Sequence, residues 1–397
     1  MKKIFIDSGQ TTSLLLGAAF LMATSAIGPG FLTQTAVFTE KLKKDFAFII
    51  LASIIIDIGI QLNLWRIICV SGKRAQELAE TIFKGLGTFL TILIVLGGLI
   101  FNIGNFAGCG LGINALLGID VKIGVGISLI IAIFLFVSKQ YGRRMDLFAT
   151  LLGTAMITLT FYVIFKSKPP FEETLKGAIY PSQISFLALI TLIGGTVGGY
   201  ISFSGAHRLL DAGVKGVENI KKISRASVTG ILITGLMRTI LFLAVLGVVS
   251  KGVILDPQNP PASAFFHGAG VIGFRIFGFI LWSAAITSVV GCSYTSISFL
   301  RGTIIKRDNP VLILIFIFIS ALSFLAVGKP VSLLILAGAL NGLIPPVSLA
   351  VVLILSKKKG LLPNYNHPEW IFLYGVLAWI FLLIACWKGI ESIGSIF

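Results

Sequence analysis

The stretch that decides the fold is Ala26-Ile27-Gly28-Pro29-Gly30-Phe31, which interrupts a long apolar run. Proline lacks a backbone donor and clashes with the preceding helical turn, and the flanking glycines remove the steric preference for helix. A helix with Gly-Pro-Gly in its middle is therefore predicted to unwind there. Because freed backbone groups at membrane depth must face protein or a wet cavity, this break is predicted to line a site, with Thr33-Gln34-Thr35 directly after it.

A second glycine-rich run, Gly194-Gly195-Thr196-Val197-Gly198-Gly199-Tyr200, repeats this feature five apolar runs later. Glycine is a weak helix former, so a second break is predicted. Interrupted segments at matching places in two halves of a chain are typical of transporters built from inverted repeats, with the substrate between the breaks. The alternative is that these residues only allow kinks and close packing, which membrane helices also use.

The composition of the 397-residue chain excludes an ordinary soluble domain. Hydrophobic residues make up 56% and charged residues 12%, where a soluble domain carries roughly a quarter charged residues. The net charge of +16 lies in short segments between apolar runs, which indicates loops beside a lipid bilayer and no nucleic-acid partner. The four cysteines include no CxxC pair, so neither a disulfide framework nor a metal site is expected.

Apolar runs long enough to span a membrane, about 20 residues, recur eleven times. We therefore predict an all-α membrane protein of about 11 transmembrane helices in one domain over residues 1–397. Repeat one is expected at about 13–165, repeat two at about 183–355 and an extra helix at about 370–388. The predicted spans are 13–38, 45–68, 86–116, 121–138, 147–165, 183–206, 227–250, 271–299, 310–327, 331–355 and 370–388.

The distribution of Lys and Arg predicts how the chain is oriented. With the N-terminus inside, the inside segments hold twenty positive residues and the outside segments ten. This bias favours a multi-pass protein of the cytoplasmic (inner) membrane with a cytoplasmic N-terminus. We expect a monomer that handles a small-molecule substrate.

These motifs resemble the NRAMP family of divalent-metal transporters, which share the LeuT-type fold of five plus five inverted helices. Gly28-Pro29-Gly30-Phe31 is similar in position to the family's Asp-Pro-Gly-Asn, and Gly198-Gly199-Tyr200-Ile201 to its Met-Pro-His-Asn. Gly142-Arg143-Arg144-Met145-Asp146 looks like its basic-acidic loop motif, and Asn341 falls near a polar amide position in its tenth helix. The resemblance covers most of the chain and implies a LeuT-type 5+5 inverted repeat with helices 1 and 6 broken.

The chain departs from that family where the family binds metal. The family's first-helix Asp and Asn and its sixth-helix Met are replaced here by Gly28, Phe31 and Gly198, none of which offers a ligand side chain. A divalent cation needs such ligands and nearby negative charge, so no metal is expected. Asn102 and Asn105 stand where the family carries an Asp and a Glu associated with proton movement. These amides could orient substrate or bond neighbouring helices.

Glycine-rich breaks expose backbone N–H groups at helix ends, and such ends bind carboxylates or other anions. Amino-acid transporters of the same fold use breaks in this way. A narrower resemblance, on the runs 17–26, 194–200 and 207–213, is to an NRAMP-like bacterial branch whose genes accompany those for 5-oxoprolinase. It implies 5-oxoproline as candidate substrate. The predicted substrate-binding residues are Gly28, Pro29, Gly30, Phe31, Thr33, Gln34, Gly195, Thr196, Gly198, Gly199, Tyr200, Asn102, Asn105 and Asn341.

Three residues are candidates for ion coupling. Asp57 lies in the middle of the second span, where a carboxylate faces a partner or a cavity. It is either a proton-coupling acid or a structural acid paired with Arg238 or Arg275. Thr287 and Ser288 could hold Na⁺ together with first-helix carbonyls, although such hydroxyls commonly bond their own backbone.

Other functions fit the sequence less well. A channel needs a continuous polar pore, and a membrane enzyme needs a nucleophile–base pair or metal ligands at helical spacing. A scaffolding protein leaves both breaks unexplained. We therefore predict a non-enzymatic secondary transporter of a small organic acid or amino-acid-like solute, coupled to H⁺ or Na⁺ and without a further cofactor. The alternative is an NRAMP-type Mn²⁺ or Mg²⁺ transporter with a non-standard site.

Overall fold

The computed structural model describes residues 15, 17–19, 22–138, 142–300, 309–358, 362 and 365–393, and the backbone alone at 142–152 and 393. The described residues form helices joined by short turns. The helices are α1 (Pro29–Leu42), α2 (Phe46–Ser71), α3 (Ala75–Glu80), α4 (Leu86–Leu117), α5 (Val121–Val137), α6 (Gly142–Ser167), α7 (Phe171–Ile179), α8 (Phe186–Val197), α9 (Ile201–Asp211), α10 (Ile220–Val249), α11 (Pro260–Ser298), α12 (Pro310–Val327), α13 (Pro330–Asn341), α14 (Pro345–Lys357) and α15 (Glu369–Ile393).

The apolar runs of the sequence coincide with these helices. Eight helical stretches in the described part of the chain are long and apolar enough to cross a membrane, and some of them join two consecutive helices. One of these stretches, Pro29–Ser71, covers both α1 and α2. α5 is a shorter apolar helix of 17 residues. The prediction of an all-α membrane protein is confirmed.

Both predicted breaks are present. Residues 22–26 are helical, Ile27 and Gly28 bend away, and α1 starts at Pro29. Proline suits that first position, because its missing N–H would have no helical partner there. In the second break α8 ends at Val197 and α9 starts at Ile201. Gly199 between them has φ +52°, a left-handed backbone that glycine adopts without strain.

The predicted spans at 271–299 and 331–355 coincide with parts of two of these helical stretches, and the structure adds a bend or a break to each. The eighth spanning helix, α11, starts at Pro260, and the chain bends inside it at Gly270, which has φ +70°. The tenth is divided into α13 and α14. The adjacent prolines that open α14 explain this third break, since neither can continue the helical hydrogen bonds of α13.

The central helices touch through glycine. A side-chain carbon on Gly194 would overlap the carbonyl oxygen of Gly338, and one on Gly342 would overlap the carbonyl oxygen of Ile190. A carbon on Gly198 would lie 2.7 Å from the carbonyl oxygen of Asn341. We call this contact between α8 and the α13–α14 break, made by Gly194, Gly198, Gly338 and Gly342, the glycine seam. It holds the second break directly against the third.

Candidate functional site

The first break faces α4 and α11. A side-chain carbon on Gly28 would lie 3.5 Å from the Ser288 hydroxyl and 3.8 Å from the Asn105 amide oxygen. The absence of a side chain at Gly28 therefore leaves room between three residues that sequence analysis assigned to substrate or ion. Their polar atoms are a hydroxyl and an amide, neither of which carries charge.

The asparagine pair of α4 extends from this break into the helix bundle. The Asn102 amide nitrogen donates to the Ser293 hydroxyl at 3.0 Å and to the Ser320 hydroxyl at 3.1 Å. Asn105 donates to the amide oxygen of Asn102 at 3.4 Å. Asn102 thus bonds the neighbouring helices α11 and α12, while the amide oxygen of Asn105 is the one near Gly28.

Gln34 connects the first break to the second and third. Its amide nitrogen donates to the Leu334 carbonyl of α13 at 2.9 Å. Its amide oxygen is buried without a hydrogen-bond partner and would lie 2.8 Å from a side-chain carbon on Gly195. Gly30 lies beside the same amide: a side-chain carbon on Gly30 would be 3.3 Å from the Gln34 amide nitrogen. The hydroxyl of neighbouring Thr33 is also buried without a partner.

Asn341 contacts the second break. Its amide nitrogen donates to the carbonyls of Gly97 and Ala337 at 3.0 and 2.8 Å, and its amide oxygen has no partner. That oxygen lies against Gly199, where a side-chain carbon would overlap it. Tyr200 is buried, with its ring edge-on to an aromatic ring of α4 at 5.9 Å between centroids.

The remaining predicted residues with side-chain hydroxyls lie beside the breaks, and these hydroxyls donate to backbone carbonyls. Thr196 donates its hydroxyl to the Leu192 carbonyl at 2.9 Å. Thr287 donates to two backbone carbonyls of its own helix, α11, both at 3.0 Å, so its hydroxyl hydrogen is already used within that helix. Gly198 belongs to the glycine seam, where it lies against backbone atoms of Gly194 and Asn341. The basic-acidic motif at 142–146 lies outside the described side chains.

Both half-helices that leave the breaks start without a side-chain cap. No side chain bonds the N-terminus of α1 after Gly28, nor that of α9 after Tyr200. Pro29 itself brings no N–H. The N-terminal end of each half-helix therefore keeps its partial positive charge next to the break.

A buried pair of opposite charges lies beside Phe31. Asp57 of α2 and Arg238 of α10 are each 1% exposed and line one cavity of about 10 Å³, which has room for about one water molecule. Thr196 of α8 forms part of its wall. The guanidinium carbon lies 4.3 Å from the centre of the Phe31 ring. We call Asp57, Arg238, Phe31 and Thr196 the central charge cluster.

The two charges of this cluster are largely unpaired. One guanidinium nitrogen of Arg238 donates to the Leu192 carbonyl at 3.4 Å, and the other two nitrogens have no partner. An oxygen of Asp57 is also without a partner. Arg275, the other arginine considered for Asp57, instead bonds the Leu116 carbonyl. Buried polar atoms without partners are rare in native proteins, and here they face a shared cavity.

Arg238 is the residue of this site that sequence analysis did not include. The signal was present, since an arginine inside the apolar run 227–250 is costly unless it faces a partner or a cavity. The sequence indicated it only as one of two possible partners for Asp57. In the described part of the chain, no group of three or more His, Cys, Asp and Glu residues is placed to hold a metal ion.

Comparisons with known proteins agree with this architecture. The sequence profile of the natural resistance-associated macrophage protein-like family matches residues 19–390. The membrane protein YcsG of Bacillus subtilis (strain 168) is 53% identical over 385 residues, which cover 96% of this chain and 95% of YcsG. A manganese transporter of Eremococcus coleocola superposes with a TM-score of 0.79 at 17% identity, covering 100% of this chain and 90% of that one. MhsT, in complex with L-phenylalanine, superposes with a TM-score of 0.66 at 15% identity, covering 94% and 98%.

Proposed function

Because the chain belongs to the natural resistance-associated macrophage protein-like family and has the LeuT-type fold, we propose that it transports a small organic acid or amino-acid-like anion. 5-Oxoproline is the first candidate. The chain is a multi-pass membrane protein and a secondary transporter. Its substrate would lie between the first and second breaks and would move together with H⁺ or Na⁺.

The observation that carries this proposal is the charge next to the breaks. A buried guanidinium with two free nitrogens lies against Phe31, in the first turn after Gly28. Arginine binds carboxylates in a planar, two-pronged geometry and repels a divalent cation. The uncapped helix ends add positive potential next to the two breaks. An anion therefore complements this site better than a metal ion does.

The unpartnered amide oxygens support a substrate that also donates. Gln34 and Asn341 each present a buried acceptor without a donor. A ring amide such as that of 5-oxoproline carries an N–H for one such acceptor and a carboxylate for Arg238. Proline carries the same carboxylate with a charged ring nitrogen, and glutamate carries a second carboxylate that would need another partner.

Divalent metal transport is the second candidate. The similar Eremococcus coleocola protein is a manganese transporter. The free amide oxygens of Gln34 and Asn341 are hard ligands of the kind that Mn²⁺ and Mg²⁺ accept. The cost is the proximity of Arg238, whose free guanidinium nitrogens are hydrogen-bond donors that a metal ion cannot use.

We further propose that the protein is a monomer of one domain in the cytoplasmic membrane, with its N-terminus in the cytoplasm. The excess of Lys and Arg in the segments on that side supports the orientation. The repeats would cover about 13–165 and 183–355.

Thermal unfolding of purified protein with candidate ligands tests the function. The panel is 5-oxoproline, proline, glutamate, Mn²⁺ and Mg²⁺, each with and without Na⁺. A ligand of the native state raises the unfolding temperature by mass action. We expect a saturable shift with 5-oxoproline and none with the metals. A saturable Mn²⁺ shift without any response to an organic acid would contradict the proposal and favour the metal transporter.

A variant of Gln34 tests whether 5-oxoproline binds at the breaks. Gln34→Leu removes the free acceptor and is expected to weaken 5-oxoproline binding about tenfold, the effect of one hydrogen bond of about 1.4 kcal/mol. The matched control is Thr39→Val on the same helix, since that buried hydroxyl only donates to the Thr35 carbonyl. The control should bind like the wild type. Equal binding by Gln34→Leu would place the substrate elsewhere.

A further inference from the structure

We propose that Arg238 alternates between two carboxylates, that of Asp57 and that of the substrate, and that Asp57 takes up the co-transported proton when Arg238 holds the substrate. This inference rests on the proposed function. It names the coupling ion as H⁺ and assigns the anchor and the proton acceptor to two residues on different helices.

The first support is the unfinished bonding of the pair. Asp57 and Arg238 face one cavity but leave an oxygen and two nitrogens unbonded. A fully paired structural ion pair would satisfy those atoms, because buried charges without partners destabilise a protein. The cavity holds about one water molecule, so a water-bridged pair can form and can be displaced. Arg238 is therefore free to exchange partners at small cost.

The second support is that Arg238 lies next to a residue from each break. Phe31, in the first turn of α1, covers the guanidinium at 4.3 Å. Thr196, in the last turn of α8, lines the same cavity as Arg238. Under this proposal, rotation of the Phe31 side chain lets the guanidinium turn from Asp57 towards a carboxylate bound at the first break.

The third support is the charge balance of the exchange. With Asp57 ionised and Arg238 protonated, the cluster is neutral. Entry of one carboxylate would leave a net negative charge in a buried region, which is unfavourable in the membrane. One proton from a hydronium ion of the solvent restores neutrality: an O–H bond forms on a carboxylate oxygen of Asp57, one O–H bond of the hydronium breaks, and a neutral water molecule is released. Release of the substrate returns Arg238 to Asp57, which gives up the same proton.

Few other groups near Asp57 could take this role. α15 contributes Tyr374, whose hydroxyl donates to the Ile55 carbonyl. The polar residues that α2, α8 and α10 place around the cavity are hydroxyls, which stay neutral in the physiological range: Ser53, Thr196 and Thr234. Asn102 and Asn105 do not titrate. Asp57 is thus the acid available to this cluster.

The first test needs no variant. Purified wild-type protein in weak buffer is mixed with 5-oxoproline, and proton uptake and ligand binding are measured together. Above the titration range of Asp57 we expect one proton taken up per ligand bound, and an affinity that falls about tenfold for each pH unit. Binding without proton uptake, and with an affinity independent of pH, would overturn the inference while leaving the proposed function intact. No binding of any organic acid at any pH would overturn both.

Three variants then separate the two roles. Asp57→Asn is expected to bind 5-oxoproline with no pH dependence and to lose uptake driven by a pH gradient in liposomes. Arg238→Gln should lose at least tenfold in affinity at every pH, and Arg238→Lys should recover part of it. Thr239→Val is the control beside Arg238, because its hydroxyl donates to the Gly235 carbonyl and its behaviour should match the wild type. A pH dependence that survives in Asp57→Asn would overturn the inference, as would wild-type affinity in Arg238→Gln.

Discussion

Two polar clusters among the described helices differ in how completely they are bonded. The first, which we call the closed cluster, consists of Asn63, Arg66, Ser224, Tyr365 and His367. Arg66 donates to the Tyr365 hydroxyl at 2.9 Å and to the Ser224 hydroxyl at 2.7 Å. Tyr365 and His367 Nδ1 are 3.0 Å apart, and His367 Nε2 and the Asn63 oxygen are 2.9 Å apart.

The buried side-chain atoms of the closed cluster all have hydrogen-bond partners. The Asn63 nitrogen donates to the carbonyls of Gly59 and Ile371 at 2.8 and 3.1 Å, so its oxygen must accept from His367 Nε2. His367 Nδ1 then accepts from the Tyr365 hydroxyl. The central charge cluster has the opposite character, with three charged-group atoms unbonded. Side chains whose hydrogen bonds are complete thus link helices into a fold, whereas side chains with incomplete hydrogen bonds remain available to bind a ligand.

The largest expected effect is the loss of a shared partner from the closed cluster. Asn63→Ala leaves His367 Nε2 without its acceptor and removes one side-chain hydrogen bond from each of the Gly59 and Ile371 carbonyls, so we expect a loss of about 3 kcal/mol in unfolding free energy. Unfolding of the purified variant in detergent measures it. Asn219→Ala is the control, since that exposed amide bonds only Lys215 and should change stability by less than about 0.5 kcal/mol. A change of similar size in both variants would remove the distinction between the clusters.

A smaller effect of opposite sign is expected at the central charge cluster. The double variant Asp57→Leu with Arg238→Met replaces two incompletely paired charges by apolar groups, which is commonly neutral or stabilising by about 1–2 kcal/mol. We expect this variant to melt at or above the wild-type temperature and to transport nothing. Each single substitution should melt lower, because it leaves one buried charge alone. A double variant that unfolds like the Asn63 variant would show that this cluster is structural.

The smallest effect is a pH dependence of stability from the closed cluster. Burial and the nearby charges of Arg66 and Lys357 lower the pKa of His367 from 6.5 to about 4. The folded protein therefore keeps His367 neutral while the unfolded chain takes up a proton below about pH 6.5. Stability from this residue is present above that pH and declines as the pH falls towards 4.

The check is a comparison of unfolding temperatures of wild type and His367→Gln across pH 4 to 8. The wild type should lose its advantage on acidification, whereas the variant should show a flatter profile. An advantage that grows towards low pH would contradict the neutral, hydrogen-bonded assignment of this ring.

The first break could be predicted from sequence because its cause is local. Pro29 and its flanking glycines disrupt a helix in any surroundings, and the structure bends there. The division between α13 and α14 carried an equally local signal in Pro345-Pro346, but the apolar run around it was interpreted as one span. The role of Arg238 could not be predicted in the same way. Its neighbours come from α1, α2 and α8, and a single sequence does not state which helices meet.

The same limit applies to the glycines of the second break. Gly195 and Gly199 lie against the amides of Gln34 and Asn341, whereas Gly194 and Gly198 lie in the glycine seam. All four look alike in sequence. Their division between a site and a packing surface depends on which face of α8 meets α13, which is set by tertiary structure.

The glycine seam also restricts how this transporter can move. Two helices in backbone contact cannot slide past each other by one residue, because a side chain would then enter a space that fits only hydrogen. α8 and α13 are therefore expected to move as one rigid unit during the transport cycle. The interface that moves when the transport pathway opens and closes must then lie between this rigid unit and the neighbouring helices. Engineered cross-links between α8 and α13 at positions beside the seam should then leave turnover intact, and those between this rigid unit and α2 or α4 should stop it.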